Sequence, residues 1–259
     1  MRFSHIHLLL AAVIIALTGC TSRPFVIERA QPMSRTELLS KLGARGLHWS
    51  SYQANVHIKA QSPKGKYRLR AVIVARLPYQ FRLEAFTPMG QTAGVLVFGP
   101  KGASLWIPSE QVIYSSDKAE TLILHFLGVP VPLETFSYSL AASMPPGFQP
   151  GDLTPVPLDA GWTLSSTDRS GGLSFAWHFL SRPPALKAVT VGEGPLRYTI
   201  DFEPATNLDP DRIPAEIRFV SSQWQMEIKI DQMTASPDIQ ESVFNPALPA
   251  GIRRVELGR

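Results

Sequence analysis

The stretch Lys66-Tyr67-Arg68-Leu69-Arg70-Ala71-Val72-Ile73-Val74-Ala75-Arg76 carries the pattern on which the fold depends. Tyr67, Leu69, Ala71 and Ile73 fall on one side of an extended chain, and Lys66, Arg68 and Arg70 on the other, because successive strand side chains point to opposite faces. Upstream, Val56, Ile58 and Ala60 alternate with His57, Lys59 and Gln61; downstream, Phe81, Leu83 and Ala85 alternate with Arg82 and Glu84. The same period returns in Phe175, Trp177 and Phe179, and in Leu196, Tyr198, Ile200 and Phe202 against Arg197, Thr199, Asp201 and Glu203. It returns again in Trp224, Met226, Ile228 and Ile230 against Gln225, Glu227, Lys229 and Asp231. With shorter candidates at 93–98, 103–107, 111–114, 162–167, 186–191 and 215–220, the alternation predicts about eleven strands.

Strands with one wet and one apolar face belong to antiparallel sheet, since parallel sheets are normally covered on both sides. Helix signals are few: 34–44, with Ser34 and Glu37 at capping-box spacing and Gly43 or Gly46 as the stop; roughly 119–127; and roughly 133–142. The Pro-rich stretches at 145–157 and 204–214 are predicted as loops. Eleven strands about 4.8 Å apart make a sheet about 50 Å wide, and helices about 10 Å across cover only part of it. The expected fold is therefore mainly β (α+β), an incomplete antiparallel β-barrel with short helices plugging the mouth. Tyr67, Phe81, Trp177, Tyr198 and Trp224 are the candidate lining of an apolar cavity, and Leu122, Phe126 and Phe136 the candidate lid. A fully packed core without a cavity remains the alternative.

Composition narrows the function classes. The chain has 259 residues, 44% of them hydrophobic and 18% charged, with one Cys and a net charge of +4. That much apolar content excludes a wholly disordered chain, and one Cys excludes an internal disulfide framework. The positive charge is too diffuse to indicate nucleic acid, so no nucleic-acid partner is expected. His48, His57, His125 and His178 lack metal-ligand spacing, Asp201 and Glu203 read as solvated charges, and Gly192-Glu193-Gly194 is a turn without the context of a nucleotide loop. No enzyme activity, cofactor or metal is expected.

At the N-terminus, Arg2 precedes an apolar stretch from Ile6 to Leu17 that would rise only about 18 Å as a helix, against about 30 Å of bilayer core. Residues 1–19 are predicted to be a signal peptide. Leu17-Thr18-Gly19-Cys20 resembles the bacterial lipobox, which implies acylation of Cys20 with chains such as palmitate. A free or buried thiol is the alternative. Thr21 in place of Asp favours the outer membrane by analogy, and residues 20–33 read as a lipidated tether to a single domain at 34–259.

Between Tyr79 and Gly147 the chain resembles the outer-membrane lipoprotein receptor LolB and the wider LolA/LolB-like superfamily. The segments that carry the resemblance are Phe81-Arg82-Leu83-Glu84-Ala85-Phe86-Thr87-Pro88-Met89-Gly90 and Leu127-Gly128-Val129-Pro130-Val131-Pro132-Leu133. The family reads a basic-aliphatic strand ending in Asn-Pro-Leu-Gly and, later, Leu-x-Gly-Met-Pro-Ile-Pro-Leu before a helix. Phe244-Asn245-Pro246 and Pro249-Ala250-Gly251 look like the end of related domains. The resemblance implies a half-barrel whose interior receives acyl chains of lipoproteins, a LolA-like periplasmic carrier as donor, and outer-membrane attachment facing the periplasm. It also implies a membrane-inserting loop at Pro88, Met89 and Gly90. The expected function is a monomeric lipid-anchored carrier or chaperone that aids lipoprotein insertion. The alternative is a non-carrier envelope lipoprotein using the same fold as scaffold or sensor. Lys64, Lys66, Arg68, Arg70, Arg76 and Arg82 gather on wet faces, where they either meet anionic headgroups or an acidic carrier, or are simply solvated.

Overall fold

The computed structural model describes residues 33–145, 147–156, 161–167, 172–181, 184–194, 197–235, 238–246 and 251–258. The signal peptide, Cys20 and all of the tether but Met33 lie outside the described residues. Pro32–Arg259 is a compact unit by itself.

Ser34 caps the first helix, α1 (Arg35–His48), accepting a hydrogen bond from the Glu37 amide at 3.1 Å. The helix does not stop at Gly43 or Gly46 but runs to His48. Burial of Arg45 and Trp49 at its far end outweighs the roughly 1 kcal/mol that a helical Gly costs. The fully buried Arg45 guanidinium donates to the carbonyls of Ala141 (2.5 Å), Asp209 (2.5 Å), Asn207 (3.3 Å) and Arg212. Burial lowers its pKa to about 10, against the pull of Asp209, so it stays charged at neutral pH.

An N-terminal meander follows: β1 (Ser51–Ser62), β2 (Gly65–Arg76), β3 (Gln80–Phe86), β4 (Thr92–Gly99), β5 (Gly102–Ile107) and β6 (Val112–Ser116). Two short helices, α2 (Ala119–Leu127) and α3 (Leu133–Leu140), come next. The second meander is β7 (Gln149–Val156), β8 (Gly161–Thr167), β9 (Ser174–Ser181), β10 (Pro184–Val191), β11 (Tyr198–Asn207), β12 (Glu216–Val220) and β13 (Gln225–Ala235), and β14 (Arg253–Glu256) ends the chain. Pairing of β1 with β13 fuses both meanders into one 14-stranded sheet, in the order β14-β6-β5-β4-β3-β2-β1-β13-β12-β11-β10-β9-β8-β7. Every pair is antiparallel except β14 with β6. The sheet ends at β14 and β7, which do not meet, so the barrel is incomplete.

Two expectations need correction here. The stretch 145–157, predicted as a loop, contains β7: Pro150 and Pro155 are tolerated because the strand lies at a sheet edge, where a missing N–H breaks no ladder on the outer side. Within 204–214, β11 runs on to Asn207 before the loop begins. β7 and β14, the latter placed after what the alternation marked as the last strand, are the two strands of the fourteen that it did not mark.

The apolar faces of both meanders turn inward around α2 and α3, and one core cluster joins them. A second, small cluster sits outside: Val95 and Val97 on the outer face of β4 pack under Phe244, from the segment 238–246. Arg76 fastens that segment through Glu241 (2.9 Å) and the Ile239 carbonyl, and lies over the Phe244 ring at 5.5 Å. Arg82 donates to the Val243 carbonyl at 3.1 Å. Arg76 and Arg82, two of the six grouped cations, thus hold this segment in place.

Candidate functional site

Beneath α2 the sheet leaves an apolar cavity of about 150 Å³. Its origin is a row of small residues: Ala71 on β2 pairs with Ala85 on β3, which pairs with Gly94 on β4. Larger neighbours, among them Ile58, Leu69, Leu83, Leu96 and Leu105, rise around that row, and Ala85 and Gly94 line its floor. Leu122, Phe126 and Phe136, the predicted lid residues, all border the cavity, with Ile123 and Leu127 of α2 beside them. A gap of this volume, with an apolar lining throughout, holds about one benzene ring.

The predicted lining residues disperse. Phe81 borders the cavity and meets the Phe136 ring edge-on at 5.9 Å. From there the interior is filled by an aromatic series: Phe136 on Phe219 (6.1 Å), Phe219 on Tyr198 (6.5 Å), Tyr198 on Trp224 (5.5 Å). Tyr198 and Trp224 face a second hollow, with Pro63, Leu124, Pro130 and Leu173. Burial pushes the Tyr198 phenol well above its usual range. Trp177 is buried on the far side, its indole N–H donating to Ser166 Oγ at 2.8 Å, away from the cavity. Tyr67 sits at the rim, its hydroxyl 3.3 Å from the Lys64 carbonyl. Large aromatics signal burial in the sequence; the floor of the gap follows small residues in register, a signal visible only once the strand pairing is known.

The two inner helices are held differently. All of α3 except Glu134 is buried, and Tyr52 on β1 donates to the Ser137 carbonyl at 2.9 Å. In α2 only Ala119 and Leu122 are buried. Its C-terminal end is clasped by the β1–β2 turn: Ser62 Oγ donates to the Leu127 carbonyl at 2.6 Å and Lys64 Nζ to that of His125. Its start receives the Leu133 amide on Glu120 at 3.0 Å.

Pro88, Met89 and Gly90 form the β3–β4 tip. The Gly90 amide bonds the Thr87 carbonyl at 2.9 Å, and the Thr87 amide bonds that of Gln91 at 2.8 Å. Gly90 has φ +82°, a conformation glycine adopts without penalty. Met89 is 90% exposed. Below the tip, Glu84 accepts from Arg82 (2.7 Å) and Thr92 (2.8 Å); burial raises the carboxyl, but these bonds and the Arg82 charge outweigh it and hold its pKa below normal. Register places this tip, the β1–β2 turn, the C-terminal end of α2 and the β12–β13 turn at one end of the sheet. Exposed Leu124 and Val220 lie there too, whereas exposed Leu47 and Tyr79 lie at the other end.

Among the described residues no His, Cys, Asp or Glu group is arranged to hold a metal, and no helix is long and apolar enough to cross a membrane. By sequence, no protein-family model and no curated protein matches the chain. Solved structures match its fold. A LolA superfamily protein from Nitrosomonas europaea superposes with a TM-score of 0.56 at 14% identity, over 82% of this chain and 98% of that one. An outer membrane lipoprotein-sorting protein domain from Vibrio parahaemolyticus gives 0.55 at 12% identity, over 81% and 95%. A DUF1329 family protein from Desulfovibrio piger gives 0.56 at 7% identity, over 80% and 94%. The fold of this chain, an open sheet wrapped round two inner helices, is thus similar to that of LolA-superfamily and lipoprotein-sorting structures.

Proposed function

We propose that the protein is a carrier of acyl chains, those of lipoproteins above all. It receives them from a LolA-like periplasmic donor and aids their insertion into the outer membrane, to which acylated Cys20 anchors it as a monomer. The observation that carries this reading is the wholly apolar gap under α2. It offers a hydrocarbon chain lower free energy than water does, so no covalent chemistry and no cofactor is needed. The gap accommodates only a few methylenes, so a full chain enters as α2 lifts. That helix is only partly buried, and its C-terminal end is held to the body by the Ser62 and Lys64 clasp.

The purified protein is expected to bind an apolar fluorescent probe and to take an acylated lipoprotein from a loaded carrier; failure in both assays would end the carrier reading. The smallness of the gap favours a second reading, an anchored envelope protein that uses the fold as scaffold or sensor, and that same failure would support it.

Met89 has the role of delivering cargo into lipid: a large apolar side chain held out on a fixed turn is solvated at a cost unless it meets hydrocarbon. Met89→Glu should leave probe binding intact while slowing lipoprotein release into liposomes about tenfold, since burying a carboxylate in lipid is unfavourable. Release at the normal rate would remove Met89 from the mechanism.

A further inference from the structure

Three cations beside the Met89 tip form no ion pair among the described residues. Arg70 pairs with Phe86, where β3 ends, so Lys66 and Arg68 of β2 lie level with the loop that carries Met89. Across β1, Lys66, Arg68 and Arg70 stand opposite Gln61, Lys59 and His57, none of them acidic. The nearby carboxylates are already engaged: Glu227 with Lys59, Asp231 with His57 at 2.9 Å, and Glu84 with Arg82 at 2.7 Å. Lys66, Arg68 and Arg70 are exposed and form no ion pair among the described residues. Adjacent like charges repel, so the row is eased by any anionic surface brought against it.

The same end carries the exposed apolar side chains Met89, Leu124 and Val220, each on a different element. Apolar groups scattered over separate tips match no single rigid pocket, but in a fluid headgroup layer each finds hydrocarbon while neighbouring cations stay at the phosphates.

We propose that Lys66, Arg68 and Arg70 form a docking row for an anionic lipid surface, which turns the open end of the half-barrel toward the bilayer. The row deepens the carrier reading by naming the membrane chemistry the protein selects. It touches neither the cavity nor the clasp on α2.

The test uses residues 20–259 carrying Cys20→Ser, which keep the whole compact unit and bear no acyl anchor. Co-sedimentation is measured with phosphatidylcholine vesicles, with and without a one-third share of phosphatidylglycerol. Each cation near an anionic surface favours partitioning about fivefold, so the triple variant Lys66→Gln, Arg68→Gln, Arg70→Gln should lose about 100-fold on the anionic vesicles and change little on the zwitterionic ones. Added salt should weaken the parent and hardly affect the variant. Equal binding to both vesicle types, or an unaffected triple variant, overturns the proposal. A triple variant that binds vesicles normally but no longer accepts cargo from the loaded carrier would assign the row to an acidic protein instead. Probe binding without vesicles is read in parallel: if it persists while lipid selectivity is absent, only the docking row falls; if it is absent while selectivity persists, only the carrier reading falls.

Discussion

Ala85→Phe is expected to weaken binding of an apolar fluorescent probe by more than tenfold while the protein stays folded. Ala85 lies on the cavity floor, paired with Gly94 on β4 and Ala71 on β2. Its new side chain would point into an apolar gap of about 150 Å³ rather than into packed neighbours. A phenyl ring is about the benzene-sized guest that such a gap holds, so the substituent occupies the space where cargo would begin to enter. Filling a void gains contacts where overpacking would lose them, so urea unfolding should show stability unchanged or raised by about 1 kcal/mol. Loss of probe binding with stability retained ties binding to this cavity. Affinity within twofold of the parent would place the binding site elsewhere, with the hollow beside Tyr198 and Trp224 as the next candidate.

Arg45→Leu is expected to destabilise the protein by about 3–5 kcal/mol, the range for breaking a buried charged network. The guanidinium joins three separate segments to α1: the end of α3 at Ala141, the end of β11 at Asn207, and the following loop at Asp209 and Arg212. Leucine matches the stem but leaves these carbonyls facing apolar atoms, and each buried acceptor without a donor costs about 1–3 kcal/mol. Arg45→Lys should recover only part of the loss, because an ammonium has no planar fork to reach carbonyls on three sides. Urea midpoints at constant m-value measure both; a loss below about 1 kcal/mol for Arg45→Leu would show that water replaces the guanidinium without penalty.

Arg45 was within reach of the sequence. It follows Leu38 and Leu42 at helical spacing, on the face that turns inward, so its burial is predictable even though its acceptors are not. The strands were legible for the same reason: alternation reports a half-buried sheet directly, and every segment it marked is a strand. What it passed over are β7, where two prolines mimic a loop, and β14, which has a single half-buried apolar residue, Val255. β4 reads as a continuous apolar run because the segment 238–246 covers its outer face, a contact between residues more than a hundred positions apart.

The candidate site was legible on its helix side and, on the sheet, at Phe81. Leu122, Phe126 and Phe136 follow from the apolar faces of two short helices, and all three border the gap. On the sheet side, aromatic size suggested the lining: Phe81 borders the gap, Tyr198 and Trp224 border the second hollow as part of an aromatic row, and Trp177 lies apart from both.

The sequence by itself determined which residues face inward, that the sheet is mainly antiparallel, and where the helices interrupt it, since these depend on the local period of apolar side chains. Tertiary structure alone decided that Ala71, Ala85 and Gly94 fall in one row, leaving a void, and that Arg76 and Arg82 are consumed by the segment 238–246 while Lys66, Arg68 and Arg70 form no ion pair among the described residues. Strand register and chain crossings bring distant residues together, and a void or an unneutralised charge is a property of what surrounds a side chain, which no local period records.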